Sequence, residues 1–360
     1  MAPLPKKVEA VGIEAMRRKR NPGLITASDF FSEAHVLRKE YAKLVNTKET
    51  QRIVVIPSVS YGMANVVKNI PLSKNDEVIV AAEEFPSDYY PWAKRSEETG
   101  ATIKTISPPD SFTRRGEQWN NRILEAITPK TKVVSISNVH WADGTLFKLA
   151  EIRKRTKDVG AALVIDGTQS VGAMPFDIEA IQPDALICVG YKWLMGPYSI
   201  GLGYYGPMFD DGSPIEESWM NRLNAEDFRS LVNYQPQYKP GSSKYEVGEH
   251  SNFIYVPMLI ESLKMINTWK PSNIQKYCKS ISTEPLKRLR EAGFWIEDED
   301  SRGQHLIGIR VPSHIDLDKA AARLKKNKVF VSFRGNAIRV AVNVFNTKAD
   351  LDKLVSLLLF

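Results

Sequence analysis

Short apolar runs alternate with amphipathic stretches along most of this chain. Runs rich in Val and Ile at residues 52–56, 77–81, 102–106, 132–136, 162–166 and 185–189 predict strands, as does 200–205. Stretches at 63–68, 89–99, 123–127 and 149–159 carry apolar residues on one face and predict helices between them. Two further helices are predicted ahead of the first strand, at 8–19 and 29–45. Strand and helix alternating in this way specify an α/β fold, a mostly parallel sheet with helices on both faces. Residues 209–241 are rich in Gly, Pro and charge and predict an excursion with a short helix near 224–232. Beyond it, helices at 257–269 (ended by Pro271) and 317–327, a strand at 306–311 and a hairpin of 329–333 with 337–342 predict a smaller α+β unit. Its last helix is capped by Thr347 with Asp350 as a capping-box partner. The expected division is an N-terminal segment at 1–30 packing near the small domain, a large domain at 31–256, and a small C-terminal domain at 257–360.

Ligands of parallel sheets bind beyond the carboxyl ends of the strands. Ser60, Phe85, Asn138, Asp166 and Lys192 each follow a predicted strand, which makes them candidates for one site. Composition removes other functions. The net charge is +7, but Lys and Arg are scattered, and the one dense cluster is Arg17-Arg18-Lys19-Arg20. With no interleaving of aromatic and basic residues and no zinc-finger spacing, no nucleic-acid partner is expected. No apolar run reaches the ~18 residues of a membrane span. The two cysteines, Cys188 in an apolar strand and Cys278 on a polar helix, form neither a disulfide framework nor a metal cluster. They fit a reducing, cytoplasmic setting. Gly201-Leu202-Gly203-Tyr204-Tyr205-Gly206 matches a dinucleotide-binding fingerprint, but Pro207 follows it where a helix has to start, so it is set aside.

The run Leu163-Val164-Ile165-Asp166 ends on an acid, and Lys192 follows the next strand. Read singly, each has a plainer account: a lysine reaching for solvent, an aspartate capping a turn. Together, at the ends of neighbouring buried strands, they are costly unless something charged lies between them. A pyridoxal phosphate ring would account for both, with the acid on its ring nitrogen and the lysine forming a Schiff base with its aldehyde. Ser58-Val59-Ser60-Tyr61-Gly62 precedes a helix, where backbone N–H groups favour a phosphate and Ser60 adds a hydroxyl.

Asp166-Gly167-Thr168-Gln169-Ser170, Pro183-Asp184, Gly190-Tyr191-Lys192 and Gly196-Pro197-Tyr198-Ser199-Ile200-Gly201 together resemble the class V aminotransferase family. That group of fold type I pyridoxal phosphate enzymes includes cysteine desulfurases and kynureninases. The resemblance implies a seven-stranded sheet, pyridoxal 5′-phosphate as cofactor, an amino acid as substrate, and a homodimer with shared active sites. It implies that Lys192 is the Schiff-base lysine and proton shuttle and that Asp166 pairs with the pyridine nitrogen. Gln169 and Asn138 would face the phenolic oxygen, Phe85 would stack on the ring, and Ser60, Tyr61 and Tyr191 would meet the phosphate. Arg339, with Arg334 as a neighbouring candidate, would hold the substrate carboxylate, and His140 would contact the substrate or act as an acid–base partner. The segment Tyr245 to Phe253 matches one that reaches the partner subunit's phosphate. The usual Gly-Thr is Gly248-Glu249 here, leaving Asn252 as the candidate donor.

Two departures matter. Desulfurases carry a cysteine just after an Arg-x-Gly run, and Arg334-Gly335-Asn336-Ala337 has none. Persulfide-forming desulfuration is therefore not expected. Transamination is favoured, with carbon–sulfur β-elimination or racemisation as alternatives, and a non-catalytic relative last. Relatives also have a segment before the Pro3-Leu4-Pro5 found here, so a shortened N-terminus is expected.

Overall fold

A computed structural model describes residues 1–335 and 337–359. Two helices come first, α1 (Lys6–Arg18) and α2 (Asp29–Leu44). The alternating part follows: β1 (Ile53–Ile56), α3 (Val59–Asn69), β2 (Glu77–Ala81), α4 (Pro86–Thr99), β3 (Thr102–Ile106), α5 (Arg115–Ala126) and β4 (Thr131–Ser137). It continues with α6 (Leu149–Val159), β5 (Ala162–Asp166), α7 (Ile178–Ile181), β6 (Ala185–Val189) and β7 (Gly201–Tyr205). These strands form one seven-stranded sheet in the order β1-β7-β6-β5-β4-β2-β3. The pairs among β2 to β6 are parallel, while β7 runs antiparallel to both its neighbours, β1 and β6. Strands β4, β5 and β6 are buried on both faces almost throughout, as strands covered by helices on each side must be.

The remaining elements are α8 (Tyr255–Trp269), α9 (Pro271–Glu291), β8 (Trp295–Ile296), β9 (Leu306–Arg310), α10 (Leu317–Lys326), β10 (Ser332–Arg334), β11 (Ala337–Ala341) and α11 (Lys348–Leu358). They build a four-stranded antiparallel sheet, β10-β11-β9-β8. Helix α8 packs on α1 and α2, and α9 on α11. The architecture expected from the pattern and the resemblance is present. Several bounds differ, for physical reasons. Helix α3 starts at Val59 rather than at 63, because Ser58 caps it by accepting from the Tyr61 N–H at 3.2 Å. Helix α4 starts at Pro86, whose ring suits a first helical position. Pro271 ends α8 as expected but also opens α9, with Lys270 at φ 64° making the corner. The helix expected near 224–232 is reduced to a short 3₁₀ turn at Ser230–Val232. The glycine-rich fingerprint that was set aside is strand β7 itself.

Candidate active site

Register brings the chemistry together. Ser137 pairs with Asp166 across β4 and β5, and Asp166 with Ile187 across β5 and β6. Asp166, Asn138 and the turn after Val189 therefore share the carboxyl edge of the sheet. The Asn138 N–H donates to the Asp166 carbonyl at 3.2 Å. A cavity of about 690 Å³ opens there, lined by Ser58, Ser60, Phe85, Ser87, Asp166, Thr168, Tyr191, Lys192, Tyr198 and Ser199, among others. A second, of about 440 Å³, is lined by Gln169, Lys192, Trp193, Leu306, Arg339 and Phe345, with Met1 and Ala2 at its side. Lys192 stands between the two.

Each group is held from its own element. One Asp166 oxygen accepts from the Thr168 N–H at 2.8 Å, so the acid is aimed before any ligand arrives. The Lys192 amine lies 5.2 Å from the centre of the Phe85 ring. Burial pushes that amine below its ordinary value, against the pull of Asp166. Lys192 sits in a loop bent so tightly that Gly190 is required: a Cβ there would lie 2.7 Å from the Ile200 carbonyl oxygen. The Val59 and Ser60 N–H groups open α3 and have no carbonyl to pair with inside it. The Ser58 and Ser60 hydroxyls sit beside them, 2.9 Å apart. Tyr191 and Tyr198 stack across the same end, with ring centres 4.5 Å apart.

Opposite, Arg339 of β11 donates to the Trp141 carbonyl at 2.7 Å. Burial first, then the charge of Arg334, pushes its guanidinium down to about 10. The Arg334 guanidinium lies 5.1 Å from the centre of the Trp141 ring, and that ring meets Phe85 edge-on at 5.5 Å.

Five expected residues line neither cavity: Asn138, whose backbone lies at the sheet edge, Arg334, whose guanidinium lies over Trp141, and His140, Tyr61 and Asn252. His140 is fully buried under Trp119 and Phe147, with one ring nitrogen 3.2 Å from Asp143 and the other 3.0 Å from the Ala82 carbonyl. The Tyr61 hydroxyl donates to Glu216 at 2.8 Å, away from the cavity, and only its backbone belongs to the helix start. Asn252 caps α8 through the Ile254 and Tyr255 N–H groups and lines a separate groove with Phe30 and Trp219.

Other residues in the site escaped the sequence reading. Thr168, Tyr198 and Ser199 lie inside the motifs that carry the resemblance but have no role assigned there, and Ser87 stands two residues past Phe85. Asp88, in the first turn of α4, is 3% exposed and faces Asp166 and Glu84. Burial, then those two acids, pushes its carboxyl well above the usual range. Glu84 is itself held by Ser137, through the backbone N–H at 3.1 Å and the hydroxyl at 2.5 Å.

This donor set fits pyridoxal phosphate. Asp166 suits the ring nitrogen, the start of α3 with its serines suits the phosphate, Phe85 suits the ring face and Lys192 the aldehyde. The family model for class-V aminotransferases matches residues 24–354. An uncharacterized aminotransferase of Bacillus subtilis (strain 168), YcbU, is 24% identical over 316 residues, spanning 87% of this chain and 80% of its own. A cysteine desulfurase of Synechococcus elongatus is 26% identical over 214 residues, 59% of this chain and 33% of its own. Among solved structures, the complex of the cystine C–S lyase C-DES with its product cysteine persulfide has a TM-score of 0.86 at 17% identity, covering 99% of this chain and 94% of the other. At that identity the likeness is one of fold.

Proposed function

The chain belongs to the class-V aminotransferase family, whose cofactor is pyridoxal 5′-phosphate, and on that premise we propose that it transfers the amino group of a small amino acid. The observation that carries the reading is an arginine without a counter-ion. Arg339 lines the cavity beside Lys192, forms no ion pair among the described residues, and the charges that act with it, Arg334, Lys192 and the Met1 amino group, are all cationic. A desolvated guanidinium across from a lysine suits a ligand that carries a carboxylate and an amine.

Bound pyridoxal phosphate supplies an aldehyde that holds the substrate amine and a ring that takes up charge from the α-carbon. Asp166 keeps a proton on the ring nitrogen. Arg339 orients the substrate by its carboxylate. Lys192, less basic than a free lysine because of burial, takes the α-proton and returns it. The carbon that receives the proton separates transamination from racemisation. Ser58, Ser60 and the start of α3 anchor the phosphate.

Carbon–sulfur β-elimination is the second reading, supported by the fold shared with a cystine C–S lyase. Persulfide-forming desulfuration, the activity in the name of one relative, is disfavoured in this reading because both thiols are buried and burial pushes them up, Cys278 to about 12 and Cys188 further. The test is a panel of L-amino acids added to holoenzyme without an acceptor. Transamination gives one equivalent of keto acid per site and no ammonia. Pyruvate with ammonia or sulfide replaces this reading with elimination, and an unchanged spectrum across the panel removes both. Lys192→Ala is expected to abolish the visible absorption band.

The reading includes a homodimer with shared sites, Asn252 reaching the partner's phosphate. The excursion at 209–241 leaves Leu223, Val232 and Tyr234 exposed, which supports such a contact. Light scattering that finds a fully loaded monomer would remove it. A cytoplasmic setting belongs to the same reading and fails if fractionation places the protein in an oxidising compartment.

A further inference from the structure

We propose that Trp193 is a positioning residue: its indole N–H fixes the Gln169 amide so that the NH₂ end is the one offered to the phenolic oxygen of the cofactor. The proposal rests on the assignment of Gln169 to that oxygen. A glutamine side chain has an acceptor end and a donor end of nearly the same shape, so either can face a ligand. An indole N–H can only donate. The Trp193 Nε1 lies 3.1 Å from Gln169 Oε1. The carbonyl end is thereby taken, and the amino end is left for the cavity that both residues line. The reversed amide would set N–H against N–H where both side chains are buried, leaving two donors without acceptors.

The rest of the shell holds this pair still. His305, fully buried just ahead of β9, has Nε2 2.6 Å from the Gln169 carbonyl oxygen. That oxygen only accepts, so Nε2 carries the hydrogen. Nδ1 then accepts from the Gln275 side-chain N–H at 3.0 Å, and Gln275 donates to the Ala173 carbonyl at 2.8 Å. The Trp193 ring meets His305 edge-on, with centres 4.6 Å apart and planes at 90°. Gly172, at φ 95°, lets the Trp193 backbone come close: a Cβ there would lie 2.6 Å from the Trp193 carbonyl oxygen. Gln169 is thus gripped at its backbone by the small sheet and at its side chain by the residue that follows Lys192.

The electrostatic consequence has a definite sign. An N–H donor favours the anionic form of the phenolic oxygen, so it lowers the pH at which the visible band titrates. An amide free to turn favours it less. In Trp193→Phe holoenzyme the spectral midpoint is expected to rise by about half a unit or more with cofactor still bound. Gln169→Leu is expected to rise at least as far, and the double variant to titrate where Gln169→Leu does. The proposal is overturned if Trp193→Phe titrates with the wild type while Gln169→Leu shifts, or if the double variant moves beyond Gln169→Leu. If Gln169→Leu does not shift at all, the assignment of Gln169 falls and this proposal with it, while the reading of Lys192 and Arg339 stands on its own test. A second measurement needs no change at Trp193. In ¹⁵N-tryptophan-labelled holoenzyme, Gln169→Glu puts a carboxylate opposite the indole and is expected to move one of the seven tryptophan N–H signals downfield. No movement overturns the pairing.

Discussion

Asp88 has both carboxylate oxygens buried with no hydrogen-bond partner among the described residues, and Asp166 is the acid that acts on it most strongly. Two ionised acids there would repel; a proton on Asp88 turns it into the donor to Asp166. The unfolded carboxyl titrates near 3.8 and the folded one far higher. Between those values the folded chain holds the extra proton, so this group removes stability as pH rises. Asp88→Asn keeps a neutral donor of the same shape. Apoprotein carrying it is expected to lose less stability between pH 6 and pH 9 than wild type, read by urea unfolding; equal losses would show that Asp88 is ionised throughout. Ser60, Phe85, Asp166 and Lys192 are legible in the sequence because a reactive residue just past an apolar strand stands out, whereas Gln169 follows from its spacing to Asp166, and Tyr191 and Arg339, the latter inside β11, follow from the family resemblance. Asp88 is not legible, since an acid in the first turn of a helix reads as a partner of the helix dipole. His305 is not either: it meets Gln169 from 136 residues away, and a lone histidine beside an apolar run gives no local sign of that.

Helix α3 shows what a cap contributes at the level of an element. Ser58 ends an extended stretch and its hydroxyl accepts from Tyr61, which starts the helix early enough to place Ser60 in its first turn. Ser58→Ala is expected to cost about 1 kcal/mol of stability. It is also expected to weaken pyridoxal phosphate binding roughly tenfold, by loss of one phosphate partner. Denaturant unfolding and a cofactor titration check the two separately, and an unchanged cofactor affinity would move the phosphate away from this helix. The polar turn signals at 57–62 hid this start, because serine and glycine are read as loop until a cap is seen. Helix α9 shows in the sequence only as the polar helix that carries Cys278, and its start at Pro271 is hidden for a related reason. Proline is a stop signal in sequence, yet its fixed φ and missing N–H suit a first helical position.

At the scale of the molecule, His305 joins the two sheets. Burial pushes it down to about 4 from 6.5, so it is neutral in the folded chain. The unfolded chain binds the extra proton between those values, so stability is full above pH 6.5 and is lost as pH falls toward 4, by about 3 kcal/mol. His305→Gln is expected to flatten that part of the profile, measured by urea unfolding from pH 7 to pH 4.5, and an unchanged slope would place the titration elsewhere. A second join is ionic. Arg115 of α5 pairs with Asp143 at 3.0 Å and with Glu297 of the small-sheet side at 3.5 Å, all three buried. Fold class was legible because strand and helix periods alternate cleanly, whereas these joins were not, since they pair residues that share no local pattern. The reversed strand β7 carries one more consequence. Strand β1 lies at the edge of the large sheet and has β7 as its one neighbour there. During synthesis β1 leaves the ribosome early and β7 late, and closing so long a loop is slow. Until it closes, Ser58 and Ser60 have no strand to stand on, so a nascent chain assembles the proposed phosphate site only after Lys192 has emerged.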